Sequence, residues 1–177
     1  MTGHIFHYFA YGSNMLTERL TARCASARAL GTGSLADHAL NFSKQSNDGS
    51  AKAAPVKKPD AKLPGVLFEL NGDEIPALDK LEGAGYGYER QTVSVYQDST
   101  TSFIAAETYF ATNFDTNLKP YDWYHTLVLC GAIQHGLPDW HIEYIQNNEV
   151  MVDPEPSSAG RMKAIKVLQK AGFEEFL

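Results

Sequence analysis

The order of secondary structure along the chain predicts an α+β fold. Three observations carry it: strand-like segments crowd the first two thirds, the strongest helices come late, and a hairpin, not a βαβ crossover, joins the middle strands. The sequence has 177 residues, 44% of them hydrophobic, which is enough to build a core without disulfide or metal staples. One domain over residues 1–177 is expected, with a polar loop at 44–62 and a helical extension at 154–177.

Residues 4–10 are dense in aromatic and branched side chains and read as a buried strand. That strand stops at Tyr11-Gly12-Ser13-Asn14, where glycine permits an unusual turn and Ser or Asn can cap a helix. Residues 15–23 are good helix formers, with Leu16 and Leu20 on one face. Residues 30–35 and 39–43 read as two short strands split by Asp37 and His38. Between 44 and 62 five lysines, Gly49, Pro55 and Pro59 predict a solvated surface loop. Strand character returns at 65–70, and a short helix over 73–82 ends at Gly83, with Pro76 in its first turn. Strands at 88–96 and 102–111 flank a polar turn. Residues 122–135 form the clearest helix: Tyr124, Leu127, Val128, Gly131 and Ala132 make one apolar stripe. A short helix from Pro138 to Gln146 follows, and a last one runs from Ser158 or Ala159 to Lys170.

Charge narrows the function. Fifteen basic residues against 21 acidic ones leave a net charge of −6, opposite to the balance of a nucleic-acid-binding domain. No apolar run approaches 18 residues, so no membrane span is expected. Residues 1–7 lack the basic and apolar regions of a secretory leader, and two cysteines are too few for a disulfide framework, so a cytoplasmic protein is expected.

Two places attract chemistry. The Tyr11-Gly12-Ser13-Asn14 turn offers successive N–H groups that, at a helix N-terminus, would cradle a carboxylate or phosphate; on local physics alone an ordinary capped turn is the readier account. It has neither the Gly-Lys-Ser/Thr of a P-loop nor the third glycine of a dinucleotide site. Glu82 lies on the helical wheel beside Ile75 and Leu78, on the apolar side and in the last turn, where carbonyl dipoles add negative charge. Both effects disfavour the charged form, and a carboxyl so placed suits proton exchange. A helix that frays early would instead leave Glu82 in water. Tyr109 and Tyr124 lie on inward faces, as packing tyrosines do, and Glu107 shares the face of Tyr109 or sits at a surface strand end. No histidine pair has metal-ligand spacing, so no metal is expected. Ser13, Cys24 and Cys130 have no evident base beside them, and Cys130 reads as a helix-packing residue.

The run 8–20, YFAYGSNMLTERL, resembles the opening of the gamma-glutamylcyclotransferases, the AIG2-like group. Segments 65–70, 78–83, 107–113, 124–132 and 136–138 resemble further blocks of that family, in its order. The resemblance implies a small, mostly antiparallel β-barrel flanked by helices. It also implies cyclisation of a γ-glutamyl amino acid or amine to 5-oxoproline with release of the free amine, and no cofactor. The family's catalytic glutamate falls on Glu82, which would take a proton from the attacking amine and deliver it to the leaving nitrogen. Tyr8, Phe9, Ala10, Tyr11, Gly12, Ser13 and Asn14 would hold the glutamyl moiety, with backbone N–H groups as the main anion-binding device; Tyr109 and Tyr124 match pocket tyrosines. The glycine-rich 83–88 segment, the 44–62 loop and the tail after Met151 depart from the animal pattern and are expected near the leaving group. The implied partner is a small γ-glutamyl molecule, with no nucleic acid and no membrane, and a homodimer is compatible with it. The alternatives are the same cyclisation on a γ-glutamyl-tagged biosynthetic intermediate, or a non-catalytic module that binds an acidic small molecule.

Overall fold

A computed structural model describes residues 4–177; Met1 to Gly3, part of the segment read for a leader, lie outside the described residues. Five strands make one mixed sheet: β1 (Ile5–Ala10), β2 (Arg28–Gln45), β3 (Ala51–Asn71), β4 (Tyr88–Gln97) and β5 (Ser102–Ala111). They follow one another as β1-β3-β2-β4-β5, and β5 meets β1 again, so the sheet closes on itself. Four of the pairings are antiparallel; β1 and β5 run parallel through Tyr8 and Glu107. The sheet is therefore mixed, although most of its ladder is antiparallel as expected.

The 44–62 loop is not a loop. Only residues 46–50 turn, closed by Ser46 N–H to the Ser50 carbonyl at 3.0 Å, and β3 begins at Ala51. β2 is likewise one strand where two were expected. Asp37 adopts φ 56° and produces a bulge, not a break, and its carboxylate accepts the Asp60 N–H at 3.0 Å. Pro59 falls beside that bulge, where the ladder between His38–Lys57 and Ala36–Lys62 is interrupted and a missing N–H costs nothing. The lysines at 57 and 58 point to water, which is why the segment's composition resembles a solvated connection.

Helices cover the sheet. The expected helix at 15–23 resolves into a 3-10 turn (Ser13–Met15) and a short α1 (Thr17–Thr21). A second 3-10 turn (Gly72–Glu74) leads into α2 (Ile75–Glu82), which Gly83 ends in the left-handed region at φ 70°. α3 (Asp122–Gln134) is buried on more than the expected stripe: His125, Leu129 and Cys130 are covered as well. Cys130 is covered by α5 (Ala159–Ala171), which packs on the outer side of α3 in a second cluster with Leu16, Leu127, Ala164 and Leu168, whereas Leu129 joins the main core and His125 lies against Phe42 and the Ile145 carbonyl. Cys130 thus serves as a packing residue. Gly131 lets α3 approach the 3-10 turn, since a Cβ there would stand 2.7 Å from the Leu16 nitrogen. α4 (Asp139–Gln146) closes one end of the main core.

Candidate active site

The turn after β1, the end of α2 and the first turn of α3 converge on one chamber. Tyr8, Tyr11, Gly12, Ser13, Asn14, Glu82, Tyr109 and Tyr124 line it, as the sequence predicts, together with Ala53 and Tyr88, which it did not. Phe9 and Ala10 do not reach the chamber. Phe9 points to the opposite face of β1 from Tyr8, both residues are fully buried in the core, and the Phe9 carbonyl accepts the Thr108 hydroxyl at 2.8 Å.

Five tyrosine hydroxyls frame this space, and each has a partner. Tyr8 accepts from Asn14 Nδ2 at 3.1 Å, Tyr109 donates to Asp79 at 2.7 Å, and Tyr11 donates to the Tyr109 carbonyl. Tyr88 donates to the Ala53 carbonyl at 2.7 Å, while Ala53 N–H donates to Tyr124 at 3.1 Å, so one residue of β3 is held through both its backbone groups. Burial, and secondarily the Glu82 charge, raises Tyr8 above the ordinary tyrosine pKa; burial also raises Tyr11, Tyr88, Tyr109 and Tyr124. All five remain neutral near pH 7.

Glu82 faces inward as the helical wheel requires, but its surroundings are not apolar. Its Oε1 accepts from Asn14 Nδ2 at 2.9 Å and from the Arg23 guanidinium at 2.7 Å, and Arg23 also donates to Asn14 Oδ1 at 3.0 Å. Among the described residues Oε2 accepts no protein hydrogen bond, so one oxygen anchors the side chain and the other is available. The Tyr11–Asn14 loop leads into a 3-10 turn, not directly into an α-helix, so its contribution is local N–H groups more than a helix dipole. Met15 N–H closes that turn on the Gly12 carbonyl at 3.0 Å, and the N–H groups ahead of it are not used in closing it. Glu107 lies elsewhere: it pairs with Arg90 at 3.3 Å and takes the Thr92 hydroxyl.

A second chamber adjoins the first through Ser13, Glu82, Tyr88 and Tyr124. Arg19, Arg23, Lys44 and Lys52 line it, so charged side chains join the backbone N–H groups on this side of Glu82. In composition these cations are unremarked. Pairing of Lys44 with Lys52 across the hairpin brings two of them in, and α1 with the residues just after it brings the others. Beyond lies an open groove between the hairpin turn and Gly83, Tyr86 and Gly87 of the glycine-rich segment. The tail after Met151 is not near it: α5 packs behind α3. Both cysteines are buried and free, their thiol pKa values pushed up by burial to about 11 for Cys24 and about 12 for Cys130, which removes them as nucleophiles. Among the described residues no three His, Cys, Asp or Glu side chains group as a metal site.

Residues 62–147 match the AIG2-like family. Gamma-glutamylcyclotransferase of Homo sapiens is 30% identical over 178 residues, covering 97% of this chain and 92% of that protein. The Bos taurus gamma-glutamylcyclotransferase is 30% identical over 141 residues, covering 77% of this chain and 74% of its own length. A solved structure described as a gamma-glutamyl cyclotransferase superposes with a TM-score of 0.81 at 29% identity, over 92% of this chain and 99% of that one. With this extent of likeness in sequence and in fold, the chain belongs to the gamma-glutamylcyclotransferase family.

Proposed function

We propose that the chain cyclises a γ-glutamyl amine or amino acid, the substrate's α-amine attacking its own γ-carbonyl to give 5-oxoproline and a free amine. One observation carries the mechanism: Glu82 lines a tyrosine-walled chamber with one carboxylate oxygen anchored and the other available. The glutamyl moiety occupies the inner chamber, its α-carboxylate toward the N–H groups of the Gly12–Asn14 turn. Folding it there brings amine and carbonyl into a near-attack arrangement, which supplies much of the acceleration because the two are already tethered. As the new C–N bond forms, Glu82 Oε2 takes the amine's proton. The same proton passes to the leaving nitrogen as the old amide bond breaks, so the enzyme ends as it began.

Neutral tyrosine hydroxyls and backbone N–H groups face the oxygen that becomes negative in between. The closed sheet serves this chemistry as a small barrel whose mouth holds the pocket, within one domain. No helix of the described residues is long and apolar enough to cross a membrane. Two buried free thiols suit a reducing, cytoplasmic setting. The test is incubation with a panel of γ-glutamyl compounds, read by mass for 5-oxoproline and freed amine in equal amounts. Release from none of them would leave the protein a binding module.

A further inference from the structure

The outer chamber is built against the charge of the whole molecule. The chain carries −6, yet four cations converge on this space. Two are matched: Arg23 by Glu82 at 2.7 Å and Lys52 by Asp48 at 2.8 Å. Among the described residues no carboxylate comes within ion-pair distance of Arg19 or Lys44. Arg19 donates to the Ser13 hydroxyl at 3.0 Å, and Lys44 lies over the Tyr88 ring at 5.0 Å.

The hairpin register makes the arrangement costly. Lys44 and Lys52 are direct partners on adjacent antiparallel strands, so their side chains share a face, and like charges opposite one another repel. Lys52 is also walled in by Tyr121, Trp123 and Tyr124, at 4.7 to 5.6 Å from their ring centres. Burial draws Arg19 down to about 10 and lowers Lys44 and Lys52 below the ordinary lysine value. An anion seated between these groups would relieve both the repulsion and the lost hydration.

Given the cyclisation reading, on which this step rests, the glutamyl group fills the inner chamber and the departing amine must lie on the cationic side of Glu82. We propose that the leaving group is itself an acidic amino acid, so that the preferred substrates carry two carboxylates beyond the scissile amide. One carboxylate would meet Arg19 beside the Ser13 turn and the other Lys44 across the chamber.

The test compares kcat/KM for γ-glutamyl-glutamate with that for γ-glutamyl-glutamine, which has the same shape without the second charge. The expected ratio is about tenfold or more in favour of glutamate, the scale of one charge-assisted hydrogen bond, and it shrinks as salt is raised. Lys44→Met brings the ratio to within about twofold of one. Equal or better turnover of the glutamine compound, or a ratio unmoved in Lys44→Met, would overturn this inference alone. Absence of turnover with every γ-glutamyl compound would overturn the cyclisation reading and this inference together.

Discussion

The two chambers that share Glu82 are made of opposite materials. The inner one is walled by aromatic rings whose hydroxyls are neutral and individually held, most of them by backbone or amide groups. The outer one is walled by long, flexible cations of which half are unmatched. Tyrosines have few rotatable bonds and, once bonded, present one shape; lysines and arginines adapt their reach but impose a charge. The difference teaches a division of labour. Shape is selected where the ring closes, charge where the amine leaves, and Glu82 works at the boundary.

The boundary itself is the place to break this division with the largest effect. Glu82→Gln keeps the side chain's size and its capacity to accept from Asn14 but removes the proton carrier. We expect 5-oxoproline release to fall by about a hundredfold or more, the usual scale for a general acid–base group, with the thermal transition little changed. Retained activity would refute the assignment. Next in size is Arg23, which belongs to the outer chamber but anchors the inner one's carboxylate. Arg23→Met frees Glu82 Oε1 from its 2.7 Å contact, and kcat is expected to drop about tenfold with KM for the glutamyl part less affected. Arg23→Lys should recover part of the loss, which a merely structural role would not predict.

The inner chamber was largely legible in the sequence and the outer was not, for a physical reason. The Tyr11–Asn14 turn is local, a glycine and a cap after a strand, readable from neighbouring residues, and the family resemblance extends it back to Tyr8. Glu82 was found by helical periodicity, because α2 buries Leu78 on the same side. Strand and helix faces turn Tyr109 and Tyr124 inward, as packing tyrosines would be; only the family resemblance marks them as pocket residues. Lys44 and Lys52 instead looked like parts of a solvated loop, since their composition is polar and Pro55 and Pro59 interrupt the pattern. Only the pairing of β3 with β2, which satisfies the backbone and sets the register, turns both lysines to one face. Tyr88 and Ala53 were missed for a related reason: the bond between them joins strands 35 residues apart. The apolar setting expected for Glu82 failed because no local pattern announces that Arg23 folds back over it.

Within the inner chamber a smaller perturbation tests whether its walls act by rigidity. Tyr88→Phe removes the 2.7 Å bond to the Ala53 carbonyl and leaves that buried acceptor short of a donor. We expect a loss of about 1–3 kcal/mol in urea unfolding and a few-fold rise in KM, with the preference for acidic leaving groups intact. A change in that preference would mean the chambers are not separate in function.

The smallest effect is a pH dependence that belongs to the outer chamber alone. Burial lowers the pKa of Lys44 below its ordinary 10.5, against the opposing pull of Glu82 and Asp48. Lys52 is lowered the same way while Asp48 holds it up, and Arg19 is drawn to about 10. A cation with a lowered pKa is charged below that pKa and loses its charge as pH rises through it. The advantage of γ-glutamyl-glutamate over γ-glutamyl-glutamine is therefore full near neutrality and fades on the alkaline side, starting below 10.5. Both substrates carry the same glutamyl group into the same inner chamber, so what they share cancels in the ratio and leaves the outer chamber's own contribution. A decline of about twofold is expected once Lys44 is half discharged. Lys44→Arg, which keeps its charge, should hold the ratio to higher pH; a decline just as early in that variant would move the titration off Lys44 and onto Lys52 beside it.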